Sequence, residues 1–305
     1  MEKKTINTYC LLTVGKTQES KEQAEFSRYI GVASSYVLAV NPDKQTLDKL
    51  MGYESANAPE YVVDGDNGKE VRIHFIVKTD AEANNGIEIT NRLMFTLRNA
   101  PAYNRDETKV QVIDRFGNTT WAPVEDAKEG KALRAGNGNP LKVDSKYRMA
   151  CVGEADLVTF LKKYLCVQDA FTYQNGTWML KPNPEEYVFG LEHIKDYFKG
   201  DFSELRDALK LQPNNKVKLL YGVRTAETEN GTRQYQAVCS RGEFILPNNA
   251  NEKALLKLAK DLGNAKAAGS YATTEFKVQP LEEYKVEATD LSAPKQEEPE
   301  DMPWD

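Results

Sequence analysis

Val71-Arg72-Ile73-His74-Phe75-Ile76-Val77-Lys78 decides how this chain is read. Val71, Ile73, Phe75 and Val77 fall on one face of an extended strand, while Arg72, His74 and Lys78 fall on the other. Residues 87–98 repeat the pattern: Ile87, Ile89, Leu93, Phe95 and Leu97 share one face, and Thr90, Arg92, Met94, Thr96 and Arg98 the opposite one. A strict period of two marks half-buried antiparallel strands with a solvated side. Here that side carries arginine and lysine.

Working outward, residues 5–14 and 26–40 are β-rich, and Asn41-Pro42 is expected to open a short helix that Gly52 ends. Asp64-Gly65-Asp66-Asn67-Gly68 reads as a turn. Residues 109–114 form a strand, followed by a turn at Phe116-Gly117-Asn118-Thr119, Trp121, a basic glycine-rich loop over 128–142 and a short strand near 148–152. Helical spacing then predicts helices over 154–165, 184–199 and 202–211, with a small hairpin over 171–180 turning at Asn175-Gly176. The chain returns to β over 216–224 and 233–246, with Lys216, Lys218 and Arg224 outward. A helix over 251–262 and a last strand over 271–278 precede the end.

The expected class is α+β, with a β-rich core. Several strands, a helical segment and a returning hairpin follow the order of an OB-fold, a small barrel with its helix between the third and fourth strands. Residues 1–280 would form one elaborated OB-like domain with a helical insertion over about 154–211, and residues 281–305 a disordered acidic tail.

Charge is unevenly distributed. From 281 to 305 nine acidic residues face two basic ones, a balance of −7 within a total of −6, which leaves the other 280 residues at +1. Between Arg92 and Arg148 eleven basic residues face seven acidic ones. A basic middle and an acidic end suggest a body that meets polyanions and a tail that competes with them or recruits proteins.

Catalytic and metal chemistry finds little purchase. Gly15-Lys16-Thr17 lacks the earlier glycine of a phosphate loop, Cys10 standing in its place. The two histidines, His74 and His193, are far apart, and Cys10, Cys151, Cys166 and Cys239 have no metal-ligand or redox spacing. The turn at 64–68 lacks the downstream glutamate of a calcium loop. No enzyme activity, cofactor or metal is expected. No apolar run reaches the roughly 20 residues needed to span a bilayer. The first residues are not those of a secretory signal, and separated thiols suit a reducing compartment. A cytoplasmic protein is expected, and the triplets at Asn118, Asn175 and Asn230 are read as turn chemistry.

A binding surface remains. Arg72, Lys78, Arg92, Arg98, Arg105, Lys109, Arg115, Lys142 and Arg148 alternate with Tyr103, Phe116, Trp121 and Tyr147. Single-stranded nucleic acid needs cations for its backbone and flat rings for its bases. Packing of strand-face aromatics in the barrel is the bland alternative for Phe116 and Trp121. At the end, Glu297, Glu298, Glu300, Asp301, Met302, Trp304 and Asp305 set a hydrophobic anchor among steering charges.

With this tail and a basic β body, the chain resembles the acidic-tailed single-stranded DNA-binding proteins of bacteria and phages, and it looks like a conserved protein of tailed phages. The resemblance covers residues 297–305 closely and the body only by architecture. It implies sequence-tolerant binding of single-stranded DNA in phage-type replication or recombination, with the tail recruiting replication and recombination proteins and competing for the basic groove. If phage-encoded, the protein would act in the bacterial host cytoplasm. One departure stands out: bacterial members end on the aromatic, whereas Asp305 follows Trp304 here. The competing class is a non-enzymatic virion or interaction protein whose acidic end docks an assembly partner. A catalytically silent subunit of a replication complex is a third.

Overall fold

The computed structural model describes residues 28–65, 68–114, 117–134, 143, 146–165, 171–174, 177–180, 187–190, 194–210, 215–228 and 231–284. Outside these lie the expected strand at 5–14, Gly15-Lys16-Thr17, Cys10, Cys166, His193, Arg115, Phe116, Lys142 and the acidic segment with Glu297 to Asp305.

The chain is α+β and rich in strand. It begins with β1 (Arg28–Val40), α1 (Lys44–Met51), the hairpin β2 (Val62–Gly65) and β3 (Gly68–Thr79), then β4 (Thr90–Pro101). Next come β5 (Lys109–Asp114), β6 (Thr119–Pro123), α2 (Val124–Glu129), β7 (Tyr147–Met149), β8 (Cys151–Val152) and α3 (Glu154–Leu165). A three-stranded sheet of β9 (Phe171–Gln174), β10 (Thr177–Leu180) and β11 (Tyr187–Gly190) precedes the short α4 (Ile194–Tyr197) and α5 (Ser203–Lys210). The long hairpin β12 (Val217–Thr228) and β13 (Gly231–Val238) follows, then β14 (Leu246–Pro247), α6 (Glu252–Ala267), β15 (Thr274–Phe276) and β16 (Glu282–Tyr284).

The main sheet runs in the order β13-β12-β1-β3-β4-β8, each neighbour antiparallel. It curls into a half-barrel. Two antiparallel steps on either side of β1 make β4 and β13 run the same way, and the curl brings them together: Asn91 Nδ2 donates to the Gln236 carbonyl at 3.0 Å. A register shift between Val37 and Ala39 in β1 marks a bulge, the usual device for bending a strand.

Alternation puts Val71, Ile73, Phe75, Val77, Leu93, Phe95, Leu97, Val217, Leu219 and Tyr221 inside the curl, all buried. Helix α3 plugs it with Leu157, Val158, Phe160, Leu161 and Tyr164. The Phe160 ring lies 4.7 Å from Phe75 and 5.4 Å from Phe95. Burying a phenylalanine of this kind contributes about 2–3 kcal/mol. The polar tips inside are matched: Tyr164 Oη accepts from the Val37 amide at 3.2 Å, and Tyr221 Oη meets Ser35 Oγ at 2.9 Å.

β12 is covered on its other face too. Leu220 packs with Phe244, Leu258, Leu262 and Phe276 in a second core under α6. Gly222 is required there, because a Cβ would collide with the Glu275 carbonyl and the Phe276 ring where β15 crosses. The sheet β6-β5-β7 has a small core of its own, in which Val110, Val112 and Ala122 meet Leu133 and Val143.

Three expectations are corrected. Asn41 does not cap α1: Asp43 does, accepting from the Thr46 amide at 2.7 Å. Asn41 instead is buried and takes the His74 amide on its side-chain oxygen at 2.7 Å, extending the β1–β3 pairing. Within the predicted helix over 184–199, the described residues hold the strand Tyr187–Gly190 and the single helical turn Ile194–Tyr197, so the 154–211 insertion is mixed rather than helical. Its Tyr-Val-Phe run suits a strand as well as a helix face, and pairing with β10 decides. Finally, the folded body passes residue 280: Leu281 is buried, and Glu282–Tyr284 pairs with Arg28–Ile30.

Candidate nucleic-acid interface

The cations predicted on the outer side of β3 and β4 do share one face, since Arg72 pairs with Thr96, Ile76 with Arg92 and Lys78 with Thr90. They are not equivalent. Glu70 accepts from Arg72 Nε at 3.2 Å and from Arg98 Nε at 3.0 Å. The Arg98 hydrogen bond, with Arg72 helping, holds the Glu70 carboxyl below its usual range. Lys78 sits 2.8 Å from Glu88, whose hydrogen bond raises the lysine's pKa. Exposed pairs of this kind contribute under about 1 kcal/mol, so a phosphate can replace the carboxylate.

His74, expected to face outward, is covered. The segment between β1 and β2 folds over it: Tyr61 meets the imidazole edge-on at 5.3 Å and anchors itself by donating to the Pro42 carbonyl at 2.6 Å. His74 is left 9% exposed with neither ring nitrogen hydrogen-bonded. Burial first, then the nearby Arg92 and Arg72 charges, pushes its pKa down to about 4 from 6.5. Between those two values the unfolded chain binds a proton that the folded chain refuses. Stability is therefore full above pH 6.5 and falls as pH drops through the window. Urea midpoints at pH 7 and 4.5 should show a loss in the wild type about 2 kcal/mol greater than in His74→Phe.

Arg92 sits at the centre of the face. Its guanidinium lies 5.8 Å from the Tyr53 ring centroid and donates to Tyr53 Oη at 2.5 Å. Its Nε is buried without a partner, and among the described residues no carboxylate neutralises it. Beyond Arg92 lies the seam between β4 and β13, a cleft of about 490 Å³ lined by Asn91, Arg92, Met94, Arg224, Ala226, Tyr235, Gln236, Ala237, Val238 and Ser240. None of the described residues lining it is acidic. Register places Arg224 opposite Tyr235 and Arg233 opposite Ala226. Neither arginine has an ion-pair partner among the described residues. Tyr53, Met94 and Tyr235 are exposed at 49%, 46% and 45%, so their side chains are accessible to a ligand on this face.

Tyr53, Met94, Arg224, Arg233 and Tyr235 were not among the sequence-derived candidates. The outward position of Arg224 was legible from alternation. Its partner across the hairpin and its approach to β4 were not.

The β6-β5-β7 sheet holds the other candidates. Trp121 pairs with Gln111, which puts it on the face of Lys109, and it is 42% exposed rather than packed. Tyr103 is also exposed, as are Arg105 and Lys109. Tyr147 has a structural task, its hydroxyl lying 2.7 Å from the Lys131 carbonyl and 3.0 Å from that of Asp126. Arg148 likewise grips Glu154, which is 1% exposed, with both terminal nitrogens. Arg148→Ala should cost about 2–3 kcal/mol by urea denaturation, the buried carboxylate being stranded behind a half-exposed partner. Oligonucleotide affinity of the folded fraction should stay within twofold of wild type.

Among the described residues no group of three histidine, cysteine or carboxylate side chains is placed to hold a metal. Burial pushes the Cys151 thiol up to about 12, well away from nucleophile behaviour at neutral pH. No described helix is long and apolar enough to cross a membrane. No family model matches the chain, and neither a curated protein nor a solved structure matches it.

Proposed function

We propose that the protein binds single-stranded DNA with little regard for sequence, as a non-enzymatic component of replication or recombination. The observation that carries this reading is the face around Arg92. Arg92, Arg224 and Arg233, without an ion-pair partner among the described residues, stand there beside exposed Tyr53, Met94 and Tyr235, and none of the described residues lining the cleft is acidic. Cations that track phosphates and rings that stack on bases are what a single strand requires.

The strand order supports it. β1, β3 and β4 form a meander, α3 follows, and β12 and β13 return beside β1 with β13 parallel to β4. We read this as akin to the order of an OB-fold, whose second and third strands and flanking loops are a common oligonucleotide platform. On this reading β3 and β4 supply the platform, and Lys109 and Trp121 extend it onto the small sheet. The acidic segment with Met302 and Trp304 recruits replication or recombination proteins and competes with DNA for the basic face.

Anisotropy titration of a labelled oligonucleotide, on the full chain and on one lacking the last fifteen residues, tests this directly. Binding should weaken steeply as salt rises. Absence of binding by both at low salt rejects the reading in favour of an interaction protein. Equal affinity of the two removes tail competition but leaves recruitment standing.

A further inference from the structure

We infer that the seam between β4 and β13 is a slot for one base of the bound strand, and that it takes any base. The inference rests on the single-stranded DNA reading above and specifies its chemistry at one place. The seam is spanned by the bond from Asn91 Nδ2 to the Gln236 carbonyl, which leaves a ligand-sized cleft of about 490 Å³.

The two carboxamides of the slot, the side chains best suited to read a base edge, are already committed. Asn91 uses its amide nitrogen on β13, and its oxygen accepts from the Arg92 amide at 2.7 Å. Gln236 accepts from the Tyr29 amide at 2.9 Å and donates to the carbonyls of Tyr29 at 2.7 Å and Gly222 at 3.0 Å. Both carboxamides are therefore structural clamps. What remains for a ligand is the Tyr235 ring, the Met94 thioether, the Ser240 hydroxyl and the charges of Arg92 and Arg224. Rings stack on every base because every base has a π-face, and guanidinium groups hold phosphates regardless of sequence. With both carboxamides engaged, and a hydroxyl able to donate or accept, a slot of this composition binds a base by its face and does not select its edge.

The test uses the full chain with 20-nucleotide homopolymers of thymidine and deoxycytidine and with Tyr235→Leu and Tyr235→Phe. Tyr235→Leu should weaken binding about tenfold while Tyr235→Phe stays within about twofold, as expected for one lost stacking contact. The two homopolymers should bind the wild type within about threefold of one another. Tyr235 is half exposed, so both variants should keep the wild-type melting temperature. If the wild type binds and Tyr235→Leu binds equally well, the slot is rejected while the single-stranded DNA reading stands. A preference above tenfold between the homopolymers rejects its indifference to the base edge. No binding by the wild type rejects both readings together.

Discussion

Replacing Arg92 and Arg224 together by glutamine should lower affinity for a single-stranded oligonucleotide by about 50-fold at low salt, two charge-assisted contacts being removed. The slope of log affinity against log salt should fall by about 1.4, since each phosphate contact on a single strand contributes roughly 0.7. The two arginines are singled out because no carboxylate neutralises them among the described residues, whereas Arg72 and Arg98 share Glu70. Arg98→Gln should therefore lose only about threefold, because binding through Arg98 must first displace an ion pair that already offsets its charge. Equal losses for Arg98→Gln and Arg224→Gln would mean that pairing on β3 and β4 does not grade these contacts. A melting curve on each variant separates lost contacts from a loosened Tyr53 segment, which Arg92 also holds.

Gly153→Ala should be the most damaging single substitution in the body. Gly153 links β8 to α3 with a φ of 82°, in the left-handed region that favours glycine. A Cβ there would collide with the Thr96 carbonyl of β4. The helix that follows plugs the half-barrel with Phe160 and Tyr164, so it cannot move away without opening the core. Strained backbone and overpacking together should cost about 3 kcal/mol or more. A urea titration followed by tryptophan fluorescence measures this. A midpoint unchanged from wild type would show that β4 and α3 can separate at this point without loss.

Much of the framework was legible in the residues. The alternation at 71–78 and 87–98 placed the inner and outer faces of β3 and β4 correctly, and helical spacing gave α3, α5 and α6. The β-rich runs at 216–224 and 233–246 met as the antiparallel pair β12 and β13, with Thr228 opposite Gly231. Where sequence reasoning failed, two structures shared one local pattern. Residues 187–190 alternate aromatic and β-branched side chains in a run too short to separate strand from helix, and β10 supplied the missing partner. Trp121, a binding candidate for which core packing is the bland alternative, is exposed on a separate small sheet that alternation alone does not distinguish from the main one.

The candidate site divided along the same line. Local sequence determined which side chains point outward, because the two-residue repeat of an extended backbone fixes that without reference to the rest of the chain. It could not determine which outward cations are free. Glu70 reaches Arg98 from 28 positions away, Tyr61 covers His74 from the segment before β2, and Arg148 turns back to Glu154 across β8. The tertiary structure decided those pairings. It also decided the seam, in which Asn91 and Gln236 meet across 145 positions and carry Arg92, Arg224 and Tyr235 into one cleft. The reason is physical: facing is a property of the local backbone, whereas neutralisation, cover and convergence depend on how far the sheet curls.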